Sequence, residues 1–265
     1  MKIITYSDLH LEFGSDFKPP KNSDADLMIL AGDIITFKNF KPLSDFMSGW
    51  SKPVLYVTGN HEYYTNQPMA AGEYAFKDYI ATHHSNITWL NNSDFILEDV
   101  HFFGGTMWTD FNKSDPIAIQ NSWNAMNDFS QIIIPSGQKL TPYDTIKMHE
   151  DFKEKLVAWL EKHHEKKRVI ISHHSPVKNP NTKYGNSNLQ AAFNSLDMVE
   201  IIEKYQPDLW IYGHTHECDD HKIGQTRIIS NQLGYPNSVG SFECVGFDSE
   251  GLKIKLITQN KRNTK

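Results

Sequence analysis

Short apolar runs, rich in β-branched residues, recur along the chain, and a polar segment follows each of them. The clearest runs are Lys2–Tyr6, Leu27–Leu30, Val54–Val57, Val169–Ser172 and Leu209–Tyr212. Runs this short and this continuously apolar are typical of strands that are covered on both faces, as in the parallel sheets of α/β proteins. The pattern therefore predicts an α/β fold with buried strands.

Helical spacing fills much of the chain between these strands. It predicts helices over Phe40–Trp50, Met69–His84, Asp144–Glu165 and Asn188–Tyr205. The third helix is the clearest, because its apolar residues fall on one side and Asp144 can cap its first turn. Strands and helices therefore alternate along most of the chain.

The middle and the end of the chain have a β-rich pattern. The strands predicted there are Thr88–Leu90, Phe95–Leu97, Val100–Gly104, Arg227–Ser230, Phe242–Phe247 and Leu252–Ile257. The last three alternate with short connections, which indicates antiparallel pairing. The final residues, Gln259–Lys265, have no apolar signal, and we expect them to fray.

Turn residues dilute the periodicity between Trp108 and Tyr143, and we interpret this segment as an insertion. It is rich in aromatic and amide side chains, Trp123 and Asn127 among them. Long irregular loops often determine specificity, so we expect the insertion to line a substrate cleft. Trp108 and Asp128 are its candidate substrate-binding residues. Asn231 and Tyr235, which follow a predicted strand, are further candidates for this cleft.

Composition and charge narrow the class of protein. The chain has 265 residues, of which 39% are apolar, and this excludes disorder over most of its length. A net charge of −6 disfavours non-specific binding to nucleic acid or to anionic membranes. No apolar run approaches the ~20 residues of a membrane-spanning helix, and Asp8 comes too early for a signal peptide. With two cysteines and no Cys-x-x-Cys pair, we expect a cytoplasmic protein.

The chain has 13 histidines, and several stand beside acidic or amide residues directly after predicted strands. These strand-end clusters contain Asp8, His10, Asp33, Asn60, His61, His173, His174, His214 and His216. Histidine is the commonest metal ligand. Open α/β sheets bind ligands outside the carboxyl ends of their strands, so these loops can converge on a divalent cation. One such cluster is weak evidence, but five clusters at strand ends predict a metal site.

The order of these motifs resembles that of the calcineurin-like metallophosphoesterase superfamily. The matching motifs are Asp8-x-His10, Gly32-Asp33, Gly59-Asn60-His61-Glu62, His173 and Gly213-His214-x-His216. The resemblance runs from residue 8 to residue 216. It implies a four-layer α/β/β/α sandwich with two mixed sheets and a dinuclear metal centre.

The resemblance also implies a role for each residue. Asp33 would bridge the two ions. One ion would be completed by Asp8, His10 and His216, and the other by Asn60, His173 and His214. His61 would face the substrate as the catalytic residue. His174 could replace His173, because either can turn inward at the strand end; the resemblance favours His173 and leaves His174 as a candidate substrate contact.

The implied activity is that of a metal-dependent phosphoesterase. It would hydrolyse a small phosphate mono- or diester by attack of a metal-bridging hydroxide. His61 would protonate the departing alkoxide or stabilise charge on the phosphoryl oxygens. Mixed nitrogen and oxygen donors suit two Mn²⁺, Fe or Zn²⁺ ions better than Mg²⁺.

Other functions of the same fold stay open. A non-catalytic scaffold is disfavoured, because every metal position and His61 are present. A nuclease that acts on long nucleic acid is disfavoured by the acidic charge, whereas a cyclic-nucleotide phosphodiesterase remains an alternative. Because the predicted metal donors come from both ends of the chain, we predict a single domain over residues 1–265, with the cleft insertion at about residues 108–143.

Overall fold

The structure is a computed structural model that describes residues 1–236 and 243–256. Its first sheet contains β1 (Lys2–Tyr6), β2 (Leu27–Ala31), β3 (Val54–Val57), β4 (Ile87–Trp89) and β11 (Ile254–Lys255). The strand order is β11-β1-β2-β3-β4. Strands β1 to β4 are parallel, and β11 pairs antiparallel with β1.

The second sheet contains six strands. They are β5 (Ser93–Leu97), β6 (Val100–Gly105), β7 (Lys167–Ser172), β8 (Leu209–Ile211), β9 (Asp219–Ile223) and β10 (Thr226–Ser230). Their order is β5-β6-β7-β8-β10-β9, with a parallel centre and an antiparallel strand at each edge. Both sheets are therefore mixed.

Eight α-helical segments and two 3₁₀ helices, Leu11–Phe13 and His61–Tyr63, connect the strands of the described part of the chain. The α-helical segments are α1 (Lys41–Met47), α2 (Met69–His83), α3 (Phe111–Ser114), α4 (Pro116–Ala125), α5 (Asp128–Gln131), α6 (Pro142–Lys162), α7 (Gln190–Phe193) and α8 (Met198–Tyr205). Helix α6 begins with a capping box, in which Thr141 and Asp144 satisfy each other's backbone N–H groups. In α3 all four φ angles are positive, so it is a left-handed turn.

Alternate residues of the central strands enter different cores, and this produces four layers. Ile3 and Ile29 of the first sheet pack against residues such as Phe102 of the second sheet. Their neighbours along the strands, such as Ile4 and Leu30, face the side of α1 and α2. On the far side, Trp210 and its neighbours pack against α6 and α8. The predicted four-layer sandwich with two mixed sheets is confirmed.

The carboxyl ends of the parallel strands of both sheets lie at one edge of the sandwich. Ser7, directly after β1, pairs with Gln232, which follows β10 in the other sheet. The loops after β1, β2, β3, β7 and β8 are thus brought together. Among the described residues, no helix is long and apolar enough to cross a membrane.

Some predicted elements differ from the structure. The helix predicted over Asn188–Tyr205 is two helices, α7 and α8, because Asn194 between them pairs with Ser175 in an extended conformation. The edge strand β9 was not predicted. Residues 243–247 of the strand predicted over Phe242–Phe247 lie in turns, and Phe242 is outside the described residues. The strand predicted over Leu252–Ile257 is shorter, since β11 has two residues; Ile257 and Gln259–Lys265 are not among the described residues.

Candidate active site

Most of the predicted metal donors have a backbone conformation that is uncommon for residues other than glycine. Positive φ angles occur at Asp8 (52°), His10 (43°), Asp33 (53°), His214 (72°) and His216 (50°). L residues rarely adopt this region, and strain of this kind is concentrated at functional sites. The turns direct the side chains of these residues into the space between the strand ends.

The first group of donors comes from the loops after β1 and β8. His10 Nε2 lies 3.2 Å from His216 Nε2, and His216 Nε2 lies 3.4 Å from Asp8 Oδ1. The other ring nitrogen of His216 contacts Glu243 Oε2 at 2.7 Å. A carboxylate on the outer nitrogen orients the imidazole and leaves Nε2 free to bind a cation.

The second group comes from the loops after β3, β7 and β8. His173 Nε2 lies 3.0 Å from Asn60 Oδ1 and 3.2 Å from His214 Nδ1. His173 Nδ1 donates to the Ala31 carbonyl oxygen at 3.0 Å, and this bond directs Nε2 toward the other donors. His214 Nε2 is buried without a hydrogen-bond partner among the described residues.

Asp33 lies between the two groups. Its Oδ1 is 3.4 Å from His173 Nε2, and its Oδ2 is 3.9 Å from His10 Nε2. Each carboxylate oxygen therefore faces a different group. The donor atoms of Asp8, His10 and His216 lie within 4.8 Å of one another, and so do those of Asp33, His173 and His214. Both sets fit a divalent ion with nitrogen and oxygen ligands.

The loops approach so closely that three glycine positions exclude any side chain. A Cβ atom at Gly213 would collide with Ser7 Oγ and Asp8 Oδ2, one at Gly32 with His173 Nδ1, and one at Gly59 with Asp33 Oδ1. At Gly213 and Gly32 the loops of the two sheets touch, and at Gly59 two loops of the first sheet do.

Glu62 is not a predicted metal donor, but it holds the loop after β2 and the loop after β3 together. Its carboxylate is fully buried and accepts hydrogen bonds from the backbone N–H groups of Asp33, Ile34 and Gly59 and from the Tyr56 hydroxyl group. Burial and the charge of Asp33 raise the pKa of Glu62 to about 7. All four partners are donors, so the ionised form fits this position.

His61 occupies a position between two polar side chains. Its Nδ1 lies 3.1 Å from Glu12 Oε1, and its Nε2 lies 2.9 Å from the Tyr235 hydroxyl group. Burial alone would lower the pKa of His61, but the negative charges of Asp33 and Glu12 raise it above its ordinary value. His61 also has a ring nitrogen within 4.8 Å of donor atoms of His10 and Asp33, so it borders the metal donors.

The charged groups of the site shift one another's pKa values. Burial would raise the pKa of Asp33, but the histidines beside it hold the pKa well below its usual range. Although burial opposes it, Asp33 raises the pKa of His173 to about 9, and Asp8 and Glu243 raise that of His216 to about 10. Burial lowers the pKa of His214. Because a histidine must be deprotonated to bind a metal, protons and a cation would compete for these side chains.

The substrate-contact candidates Trp108, Asp128 and His174 lie behind the site. Trp108 is 4% exposed, and its ring centre is 5.1 Å from that of His174. His174 Nδ1 contacts the Thr106 carbonyl oxygen, and the ring centre of His174 is 4.1 Å from that of His214. Asp128 accepts from Asn60 Nδ2 at 2.9 Å and thereby orients Asn60 Oδ1 toward His173. These three are buried supports of the site.

A cleft of about 370 Å³ opens beside the donors. From the predicted insertion only Ala125, Met126 and Asn127 line it, while Trp123 is exposed elsewhere and pairs with Tyr143. Much of the remaining lining comes from the loop after β7 and from α7, namely from Asn179, Thr182, Tyr184, Ser187, Leu189, Gln190, Phe193 and Asn194. The sequence prediction missed this wall, because it assigned part of it to one long helix.

Of the two other residues that we predicted to reach the cleft, Tyr235 and Asn231, one lines it and one does not. Tyr235 lines the cleft, as predicted. Asn231 does not, because its amide donates to the carbonyl oxygens of Thr5 and Asp248 and joins β1 to the end of the chain. Glu12 was not singled out from the sequence, and its position two residues after His10 was the available signal.

Solved structures of other proteins superpose on most of this chain and therefore share its fold. The phosphopantetheinyl hydrolase of Mycobacterium tuberculosis superposes with a TM-score of 0.67 at 17% identity, over 89% of this chain and 90% of that protein. Protein TT1561 of Thermus thermophilus superposes with a TM-score of 0.52 at 12% identity, over 87% and 88%. At such identities the likeness extends to the fold alone.

Sequence comparisons go further. An uncharacterized protein, L509, of Acanthamoeba polyphaga mimivirus is 30% identical over 270 residues, which cover 91% of this chain and 94% of the viral protein. Residues 1–218 match the family described as calcineurin-like phosphoesterase. This range contains all of the predicted metal donors and reaches just past the last of them, His216. The chain therefore belongs to the calcineurin-like phosphoesterase family.

Proposed function

We propose that this protein is a dinuclear metal-dependent hydrolase of a phosphate mono- or diester, with His61 as its catalytic residue. The two ions would be held by the set already described, Asp8, His10, Asp33, Asn60, His173, His214 and His216. Mn²⁺, Fe and Zn²⁺ are the metals that such mixed nitrogen and oxygen donors favour.

The orientation of Asp33 is the observation that carries this proposal. One carboxylate oxygen lies beside His173 and the other beside His10, so a single side chain faces both groups of donors. Two separate mononuclear sites would not need a shared carboxylate. When bound, two ions would neutralise the charge of the phosphoryl group and lower the pKa of a water molecule.

The chain's own residues would perform the remaining tasks. Asn60 contributes a neutral oxygen, which limits the negative charge of a site that must accept an anion. The raised pKa of His61 favours its protonated form, which can donate a proton to the departing oxygen. Glu12 and Tyr235 hold the two ring nitrogens of His61 and restrict its rotation.

A panel of esters tests the proposal. Purified protein would be supplied with Mn²⁺ and assayed on phosphomonoesters, phosphodiesters, cyclic nucleotides and pyrophosphates. A phosphopantetheinyl ester belongs in the panel, because the structurally similar mycobacterial hydrolase is named for that group. We expect metal-dependent turnover of at least one class of ester.

Two variants test whether the turnover depends on the predicted metal site. Asp33→Asn should lose both metal and turnover, because the shared carboxylate is removed, whereas the exposed Asp78→Asn should lose neither. Metal bound at two ions per chain without turnover of any ester would instead favour the non-catalytic scaffold. A well-ordered mononuclear site in metal-saturated protein would contradict the bridging role of Asp33.

A further inference from the structure

One wall of the cleft is a continuous segment, residues 179–194, which we call the amide wall. It begins after β7, includes α7 and brings several amide side chains to the cleft, those of Asn179, Gln190 and Asn194. Apolar and aromatic side chains of the same segment alternate with them, among them Leu189 and Phe193. The wall therefore offers both hydrogen-bonding groups and apolar surface.

The amide wall is held in place by bonds within itself and lies against the predicted metal donors. Gln190 Nε2 donates to the Tyr184 carbonyl oxygen at 2.7 Å, and Asn194 Nδ2 donates to Gln190 Oε1 at 3.0 Å. The ring centre of Phe193 is 5.0 Å from that of His214. A substrate whose phosphoryl group reaches the donors must therefore place its organic group near this wall.

The described lining of the cleft contains acidic side chains but no permanently cationic ones. None of the described residues that line it is a lysine or an arginine. Lys178 precedes the wall, and its Nζ donates to the Gly185 carbonyl oxygen at 3.0 Å. Lys183 belongs to the wall but does not line the cleft; its Nζ lies 4.7 Å from the centre of the Tyr184 ring, and its charge acts on Glu243.

Besides the predicted metal donor Asp33, two carboxylates line the cleft, those of Glu217 and Glu243. Glu217 Oε1 accepts from the backbone N–H of Lys183 at 2.8 Å, and Glu243 contacts His216. An anionic group on the substrate, other than the phosphate at the metal donors, would meet the Glu217 carboxylate, whose described partner is a backbone N–H group and not a cationic side chain. Repulsion in a partly desolvated cleft is stronger than in bulk water.

We propose that the cleft selects esters whose organic group is uncharged and polar, with no anionic group besides the phosphate that is hydrolysed. The inference rests on the proposed function and deepens it by naming the substrate class. Amide side chains can bond to hydroxyl or amide groups of such a substrate, while Phe193 and Tyr184 cover its apolar parts. Nucleoside di- and triphosphates and oligonucleotides are poor substrates on this account.

A matched pair of esters tests the proposal. Phenyl phosphates that carry a propanamide or a propanoate group at the para position have the same length and closely similar leaving groups, and they differ by one negative charge. We expect kcat/KM to favour the propanamide ester by about tenfold at low salt. The preference should shrink at high salt, since the Debye length falls to ~3 Å at 1 M. If the protein prefers diesters, the methyl diesters of both phenols serve as the pair.

Glu217→Gln assigns the effect to the cleft. Its amide oxygen can still accept the Lys183 N–H bond, so the fold is kept while one charge is removed. The ratio between the two esters should fall by about threefold, a fraction of the full like-charge effect. Glu203→Gln, on the exposed face of α8, removes the same charge elsewhere and should leave the ratio unchanged. Gln190→Ala should reduce kcat/KM for the propanamide ester more than for unsubstituted phenyl phosphate.

The outcomes separate the two proposals. Equal turnover of both esters, or a preference that Glu203→Gln alters as much as Glu217→Gln, would overturn the selection by charge and leave the phosphoesterase function intact. Metal-replete protein that hydrolyses neither ester nor any member of the ester panel would overturn the proposed function, and the substrate class would fall with it.

Discussion

His61 is the residue whose substitution best separates chemistry from metal binding. We expect His61→Ala to retain both ions, because the seven donors remain, and to lose about 10²–10⁴-fold in kcat, the usual contribution of a general acid or base. The loss should be largest for esters with poor leaving groups, which need protonation. Metal analysis and kcat on alkyl and activated aryl esters would measure both effects.

His164→Ala is the matched control, because that histidine is exposed just after the end of α6 and should leave kcat unchanged. Equal losses across all leaving groups would make His61 a stabiliser of phosphoryl charge. Loss of metal from the variant would make it a ligand, a role that its position beside His10 and Asp33 allows.

Substitution of Glu62 should lower the stability of the protein. In Glu62→Gln one oxygen is replaced by an NH₂ group that faces backbone donors, so buried N–H groups lose their acceptor. We expect the free energy of unfolding to fall by about 1–3 kcal/mol, the cost of unsatisfied buried groups. Urea unfolding of the metal-free protein measures it. The exposed Glu150→Gln should change stability by less than about 0.5 kcal/mol, and an equal change in both variants would refute the role of Glu62.

For single residues, the sequence predicted a set of metal donors, whose residue types indicate their role. It did not predict the roles of the residues that support them. The predicted metal donors do converge, since Asp and His after strands mark a metal site by residue type. Glu62 bonds mainly to backbone N–H groups, which have no signature in the sequence. Trp108 is aromatic and lies in a loop, and nothing in the sequence distinguishes a ring packed behind a histidine from a ring that lines a cleft.

Helices α6 and α8 are joined by a buried ionic contact at some distance from the cleft. Asp197 Oδ2 accepts from Lys153 Nζ at 2.6 Å and lies 3.2 Å from His149 Nε2. Burial would raise the pKa of Asp197, but hydrogen bonds from His149 and Lys153 lower it to about 2. A carboxyl with a lowered pKa stabilises the fold above its unfolded pKa of about 3.9 and loses this effect as the pH falls.

Asp197→Asn should therefore destabilise the protein at neutral pH by about 1–3 kcal/mol, the range for hydrogen bonds to charged groups. Between pH 4 and 2, where the native carboxylate becomes protonated, the difference from the unmodified protein should shrink. Chemical unfolding of chelator-treated protein at several pH values measures this. The exposed Asp78→Asn serves as the control, and a difference that does not vary with pH would refute the ionic contact.

Strands and helices could be predicted from the sequence where a single hydrophobic pattern ran through the whole element. The bounds of β1 and β3 agree with the predicted strands, because both are continuously apolar runs that turn polar at the strand end. Strand β9 has the sequence Asp-Asp-His-Lys-Ile, and its charges hid an edge strand that has only one neighbour among the described strands. The break between α7 and α8 depends on the pairing of Asn194 with Ser175, which are far apart in the sequence.

For the whole molecule, the distribution of the predicted donors links metal binding to global stability. Asp8 and Asp33 follow strands of one sheet, and His173 and His214 follow strands of the other. If residues 1–265 form a single domain, unfolding should be one cooperative transition. Saturating Mn²⁺ should then move the entire transition to a higher Tm. At a free Mn²⁺ concentration of one hundred times Kd, the free energy of unfolding should rise by about 2.7 kcal/mol.

Calorimetry with Mn²⁺ and with chelator would test this. The control is Asp33→Asn, whose Tm should respond little to Mn²⁺. Two transitions, of which only one moves with metal, would mean that the chain has two independently folding parts and that the single-domain prediction is wrong.

The positive φ angles of five predicted donors have a consequence for anyone who engineers this protein. Each such residue costs on the order of 1 kcal/mol or more relative to a relaxed backbone, and glycine or asparagine would relieve part of the cost. A screen for heat resistance that is run with chelator would therefore select replacements of Asp8, His10, Asp33, His214 and His216. Directed evolution under those conditions would remove the proposed metal ligands, unless metal is supplied in the screen or these five codons are held fixed.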